Sequence, residues 1–210
     1  MKSKLKLVVF VLVYVVSGLA LVFYLADTPL SISTSNGDHA AIAIRDNVSH
    51  LEKNGSLLFT KTYLNKKYKY NIYFTQEFNG DKRKEFTDSL ALLLKNYKSV
   101  DVYLLAHHNN YYNWFRDIDP ELLSRLNMVY NTGCGNAADS SRYKDSGAKY
   151  YIAHKGKQSL SPIFYFYFLR RMDPSKDPEI ATAAANERVV RILNFLGIRS
   201  EIKEHEGSIY

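Results

Sequence analysis

The apolar and polar positions divide the chain into three stretches. Residues 7–26 (LVVFVLVYVVSGLALVFYLA) are apolar, interrupted only by Ser17 and Gly18. A run of that length, at about 1.5 Å per helical residue, matches the roughly 30 Å hydrocarbon core of a bilayer. It predicts one N-terminal transmembrane helix within residues 1–26. Residues 27–44 read as a tether, since their first part, DTPLSISTSNGDHA, is small and polar with Pro29 and Gly37.

Beyond the tether the pattern switches repeatedly between strand and helix periods. Residues 68–75 (YKYNIYFT) alternate and are rich in β-formers, which predicts a strand. In residues 81–97 Phe86, Leu90, Leu93 and Leu94 fall on one face, as in an amphipathic helix. Residues 100–106 (VDVYLLA) form a nearly continuous apolar run, the mark of a strand buried on both faces. Asp119-Pro120-Glu121 sets an N-cap acid before a first-turn proline and opens a short helix ending near Arg125. Strands follow over 126–130 (LNMVY) and 148–153 (AKYYIA). Ser161-Pro162 then opens an aromatic helix running to Met172, and Asp177-Pro178-Glu179 opens a last one stopped by Gly197. The run 61–70 (KTYLNKKYKY) reads as an exposed strand with lysine stems lying along it. The succession predicts an α/β domain over residues 45–210, its sheet mostly parallel and flanked by helices.

Charge sharpens the picture of the N-terminus. The 210 residues carry 28 − 21 = +7, but Lys2, Lys4 and Lys6 precede the apolar run and residues 1–26 contain no acid. The remainder holds 25 − 21 = +4, ordinary for a small domain, and no nucleic-acid partner is expected. The three lysines orient the span with the N-terminus cytoplasmic. The bulk of the chain is then extracytoplasmic, periplasmic if the source is a bacterium. A signal peptide cleaved after Ala20 or Ala26 is the other reading of this segment. The single cysteine excludes a disulfide framework and a multi-cysteine zinc module.

In open α/β sheets ligands collect beyond the carboxyl ends of the strands. Two loops occupy such places: His107-His108-Asn109-Asn110 after VDVYLLA, and Asn131-Thr132-Gly133-Cys134-Gly135-Asn136 after LNMVY. Thiolate is the reactive form of cysteine, and a nearby imidazole activates it. Gly133 and Gly135 leave room for a substrate carbonyl, and the amides of such a tight turn can face an oxyanion. Tyr111, Tyr112 and Trp114, beside the histidine loop, would line a substrate pocket or meet a partner protein. Two further readings stand beside this one. The first is a metal site built from His107, His108 and His154. The second is a non-catalytic interaction domain binding through residues 111–115.

The same residues resemble the caspase-like (clan CD) cysteine peptidases, a group that includes the CHAT-type domains. DVYLLAHHN is similar to their hydrophobic strand ending in His-Gly, and LNMVYNTGC to their strand ending in Ala-Cys. DSGAKYYIA, SPIFYFYFLRR and PEIATAAANERV are similar to the glycine–alanine strand, the aromatic helix and the alanine-rich segment that follow, so the resemblance covers residues 68–190. It implies a three-layer sandwich, a peptide or protein substrate and no cofactor. Cys134 would be the nucleophile and His108 the base, with His107 the near alternative. Backbone amides near Asn109 and Cys134 would stabilise the oxyanion. Asn109 stands where the family has glycine, and Gly133 where it has alanine. The Gln-Ala-Cys signature is absent, and the spacing 134 − 108 = 26 falls short of the roughly 50 of caspases. A compact member, or a degenerate one retained as an interaction domain, fits those departures.

Overall fold

The computed structural model describes residues 10–18, 37–77, 80–107, 110–156, 161–198 and 202–210, with residues 51 and 52 described by backbone alone. It divides into two units, Met1–Leu30 and Ser31–Tyr210. In the first, residues 10–18 are helical. Among the described residues no helix is long and apolar enough to cross a membrane. This overturns the expected transmembrane helix over 7–26, and with it the cell-membrane location, the cytoplasmic N-terminus and the extracytoplasmic bulk. The rest of the apolar run, residues 7–9 and 19–26, lies outside the described residues.

The second unit is built on one six-stranded sheet. β1 (His39–Arg45) begins inside the stretch read as a tether. Its central residues are apolar and every one of its seven is buried, which is how a strand covered on both faces must read. A helical segment follows in three parts: α1 (His50–Gly55), a π-helical stretch Ser56–Lys61 and α2 (Thr62–Lys67). The lysine–tyrosine run is therefore largely the end of a helix, with Lys67 1% exposed and its ammonium pKa lowered by burial. β2 (Tyr70–Thr75), α3 (Arg83–Asn96) and β3 (Ser99–Leu105) match the predicted elements, as do α5 (Pro120–Leu123) and β4 (Leu126–Asn131). Asp119 caps α5 by accepting the Glu121 N–H at 2.9 Å. α4 (Tyr112–Phe115) lies between β3 and α5. A 3-10 turn (Asn136–Asp139) and α6 (Ser140–Asp145) lead into β5 (Tyr150–His154). α7 (Ser161–Arg171), α8 (Glu179–Phe195), α9 (Ile202–His205) and β6 (Gly207–Ile209) complete the chain.

The strand order is β2-β1-β3-β4-β5-β6, parallel throughout except for the antiparallel β6, so the sheet is mixed. β6 is held by more than its ladder. The Asn186 side chain on α8 accepts the Gly207 N–H at 2.8 Å and donates to the Gly207 carbonyl at 2.9 Å, acting as a surrogate strand.

Helices cover both faces. On one, Phe86, Leu90, Leu93 and Leu94 of α3 pack with Phe115, Leu123 and Tyr143 against Ile42, Ile44, Val102, Leu104 and Val129. Each such side chain contributes about 1.5–3 kcal/mol by leaving water. The other face is aromatic. Tyr103 meets Tyr63 and Tyr165, and the Tyr130 ring lies 5.1–6.0 Å from those of Phe164, Tyr165 and Phe168 on α7.

Candidate active site

β3 and β4 are hydrogen-bonded neighbours running the same way, so the loops that follow them leave the sheet side by side. Thr132 prolongs the ladder: its N–H donates to Leu104 O at 3.0 Å, and its hydroxyl accepts the Ala106 N–H at 3.2 Å. The chain then turns back on itself. Asn131 Oδ1 accepts the Gly133 N–H at 3.1 Å, a side chain mimicking a backbone turn, and also accepts Asn136 Nδ2 at 2.8 Å. Asn136 Nδ2 donates as well to the His107 carbonyl at 3.4 Å, and the Tyr151 hydroxyl donates to Asn136 O at 2.8 Å. On the far side the Gly135 N–H donates to Gly156 O at 2.8 Å.

The two glycines are required by this turn. A Cβ at Gly133 would collide with Asn136 Nδ2 and with the His107 carbonyl oxygen, so the two loops touch where the side chain is missing. Gly135 has φ 70°, the left-handed region that glycine enters without steric cost. Cys134 sits between them, half-buried and in no disulfide. The amides of Gly133 and Gly135, expected to face an oxyanion, are donated to Asn131 and Gly156; they shape the turn instead.

His107 is exposed on the neighbouring loop, while His108 and Asn109 lie outside the described residues. The aromatics after them point largely inward. Tyr111 is 4% exposed, and burial, with the Asp46 carboxylate, pushes its phenol pKa up. Trp114 is half-buried and meets the Tyr111 and Phe86 rings edge-on at 4.5 and 5.7 Å. Tyr112, also half-buried, lies under the Arg142 guanidinium, 4.5 Å from its ring centroid. His154 is enclosed by aromatic rings: Phe164 stands edge-on at 5.0 Å, and the Tyr130 hydroxyl is 3.1 Å from Nε2. Burial lowers its pKa to about 4, so the ring is neutral. Among the described residues no group of three or more His, Cys, Asp and Glu could hold a metal ion.

Four residues at this end of the sheet have roles that the sequence reading did not assign. Asn131 and Asn136 build the cysteine turn. Arg45 ends β1 and Asp46 follows it, where the winding reverses between β1 and β3 and a crevice is expected. Arg45 is 6% exposed and pairs with Glu77 at 2.7 Å, while Lys53 reaches the other Glu77 oxygen at 2.8 Å. Hydrogen bonds from Lys53 and Arg45 hold the Glu77 carboxyl at about 2. The available signal was the apolar run HAAIAI ending in Arg45-Asp46.

No family model matches the chain, and no curated protein matches it. Among solved structures it is similar to the crystal structure of an MccF-like protein from Bacillus anthracis strain Ames. The identity is 13% and the TM-score 0.40, over 67% of this chain and 46% of that one. The chain thus spans under half the length of that structure. The likeness is not specifically to a caspase-like protein, and at this similarity it carries no argument about activity. The α/β class rests on the strand order and flanking helices described above.

Proposed function

We propose that the domain is a caspase-like cysteine peptidase with a thiol–imidazole pair built from the loops after β3 and β4. What supports this is the contact at Gly133, where the turn presenting Cys134 lies against the backbone of His107 with no room for a methyl group. In this reading the Cys134 thiolate attacks a peptide carbonyl. A C–S bond forms, the C–N bond breaks, and the imidazolium gives its proton to the departing amine. Water activated by the same imidazole then releases the acid and restores the thiol. The base is His108 or His107 of the neighbouring loop, and the substrate is a peptide or protein; no cofactor enters the scheme.

The test is cleavage of a diverse peptide mixture followed by mass spectrometry. Wild-type protein should cut, and Cys134→Ala should not. Of His107→Ala and His108→Ala, the variant lacking the base should lose about 10²–10⁴ in rate. Cleavage undiminished in Cys134→Ala, or a thiol that labels only after denaturation, would sink the reading.

A further inference from the structure

The two edges of the sheet are finished differently. β6 is three residues long, and the Asn186 amide takes the N–H and carbonyl of Gly207. β2, at the other edge, is six residues long and pairs in unbroken parallel register with β1. The Gln76 N–H donates to the Arg45 carbonyl, so the even-numbered residues of β2 turn their backbone groups to β1. The N–H and C=O of Asn71, Tyr73 and Thr75 therefore point outward, and among the described residues no strand meets them. Edges meant to stay single are blunted by charge, proline, a bulge or a cover. Tyr70–Thr75 (YNIYFT) carries no charge and no proline.

The outward groups are spaced to meet a second copy of the same strand. With a two-fold axis at Tyr73, antiparallel pairing sets Tyr73 against the partner's Tyr73 and Asn71 against the partner's Thr75. All three outward residues then exchange both of their backbone bonds. Ile72 opposes the partner's Phe74 on the face that packs with α3. Lys69 and Glu77, each four residues from Tyr73 and each exposed, oppose one another at both ends of the pair. Glu77 meets Arg45 with one oxygen and Lys53 with the other, which leaves its carboxylate further acceptor positions. Moving the axis by one residue leaves an outward residue of each strand unpaired within β2 and separates the charges. Ser56 Oγ lies 2.6 Å from the Tyr73 hydroxyl, and the residues after it, Leu57 and Leu58, are exposed. Apolar groups there add buried area that a strand pair alone does not supply.

We propose that the chain forms a two-fold dimer through β2, with Tyr73 on the axis and Lys69–Glu77 pairs at the ends. The ion pairs are exposed, so they set register more than affinity. The interface uses the same patch on both copies and closes on itself, which stops further growth. It does not depend on the thiol chemistry.

Sedimentation velocity on the full-length chain over a range of concentration tests this. Wild type should pass from monomer to dimer and stop there. Thr75→Pro removes an outward N–H while sparing the ladder to β1, and should weaken association by about tenfold or more. Lys69→Glu and Glu77→Lys should each weaken the dimer, and mixing the two variants should restore it, since unlike charges then meet at both ends. On mild oxidation Tyr73→Cys should give a disulfide-linked dimer, because hydrogen-bonded partners lie about 5.5 Å apart at Cα. Thr75→Cys, distant from its own copy, should not. A chain monomeric at every concentration leaves the edge to some other strand and overturns the proposal. Association unchanged in Thr75→Pro places the contact elsewhere and overturns it too. A mixture that associates no better than either variant, with no Tyr73→Cys link, refutes the axis at Tyr73. If the charge variants do not fold, the cross-link decides.

Discussion

His39 Nε2 lies 3.0 Å from Asp101 Oδ2, an ion pair across β1 and β3 at the end of the sheet away from Cys134. Asp101 is fully buried, and its carboxylate also accepts the Tyr68 hydroxyl at 2.6 Å and the Asn127 amide at 2.7 Å. Since Tyr68 donates there, the Tyr103 hydroxyl, 2.9 Å away, must donate to Tyr68. Ser99 Oγ is 3.3 Å from the same histidine nitrogen. With both partners on one nitrogen the ring cannot pass a proton from serine to aspartate. The set is a buried electrostatic pin.

The pin gives stability a defined pH dependence. Burial opposes charge on His39, but the attraction and hydrogen bond of Asp101, with the Pro174 carbonyl, outweigh it and raise the pKa above 6.5. A raised folded-state pKa contributes stability that is complete below the unfolded value and is lost as pH rises through the folded one. Urea midpoints should therefore decline as pH rises above the unfolded value of about 6.5, with part of that decline absent from His39→Gln. Identical profiles in the two proteins would refute the assignment.

Removing the carboxylate should cost more than removing the histidine. Asp101→Ala strands a buried imidazolium and two donors, and breaking a buried pair from one side typically costs about 3–5 kcal/mol. Chemical denaturation of the two single variants and the double variant measures this. The double should be less destabilised than the sum, because the charge stranded in Asp101→Ala is gone. Strict additivity would mean that the two groups do not interact.

His154 acts in the opposite direction. Its pKa, lowered from 6.5 to about 4 by burial, means that the unfolded chain takes up the proton first as pH falls. The contribution is intact above the unfolded value and is lost on the way down through the folded one. Near-UV circular dichroism should follow acid unfolding in that window, and His154→Gln should shift the transition to lower pH. A transition unmoved in the variant would locate acid sensitivity elsewhere.

The two glycines of the cysteine turn should respond differently to substitution by alanine. Gly133→Ala overpacks the contact between loops and should cost about 1–3 kcal/mol while altering Cys134 alkylation. Gly135→Ala meets open space but must hold a left-handed backbone, at roughly 1–2 kcal/mol. Denaturation midpoints and labelling rates on the same samples check both. An alkylation rate unaffected by Gly133→Ala would show that the contact does not shape the thiol site.

Where periodicity was long and unambiguous, the chain disclosed its elements: α3 through its leucine face, β3 and β4 through their apolar runs, α8 through the Asp177-Pro178-Glu179 that opens it and the Gly197 that follows it. Placing Cys134 beside the histidine loop needed only the rule that consecutive parallel strands end together. β1 was hidden because its alanines follow a polar stretch and look like its continuation. β6 is too short to carry a pattern. Lys67 looked exposed because charge usually is; only the packing around it shows otherwise. The apolar run at 7–26 has the composition of a membrane span, but among the described residues no helix is long and apolar enough to cross one. Asn131 and Asn136 are unremarkable as residue types, and their pairing acquires meaning only once the turn has brought the two amides together.

β1 is paired with β2 on one edge and β3 on the other, and β3 follows it by some fifty residues. Of the six strands it is the first to be synthesised and must wait for the later two before its backbone is satisfied on both sides. Pairings so distant in sequence slow folding, because a long loop must close before the contact repays it. Small side chains and charged ends suit a strand in that position, since a bulkier apolar segment held open for so long would invite association between nascent chains. The small side chains of this interior strand thus serve the order of folding as well as the packing of the sheet.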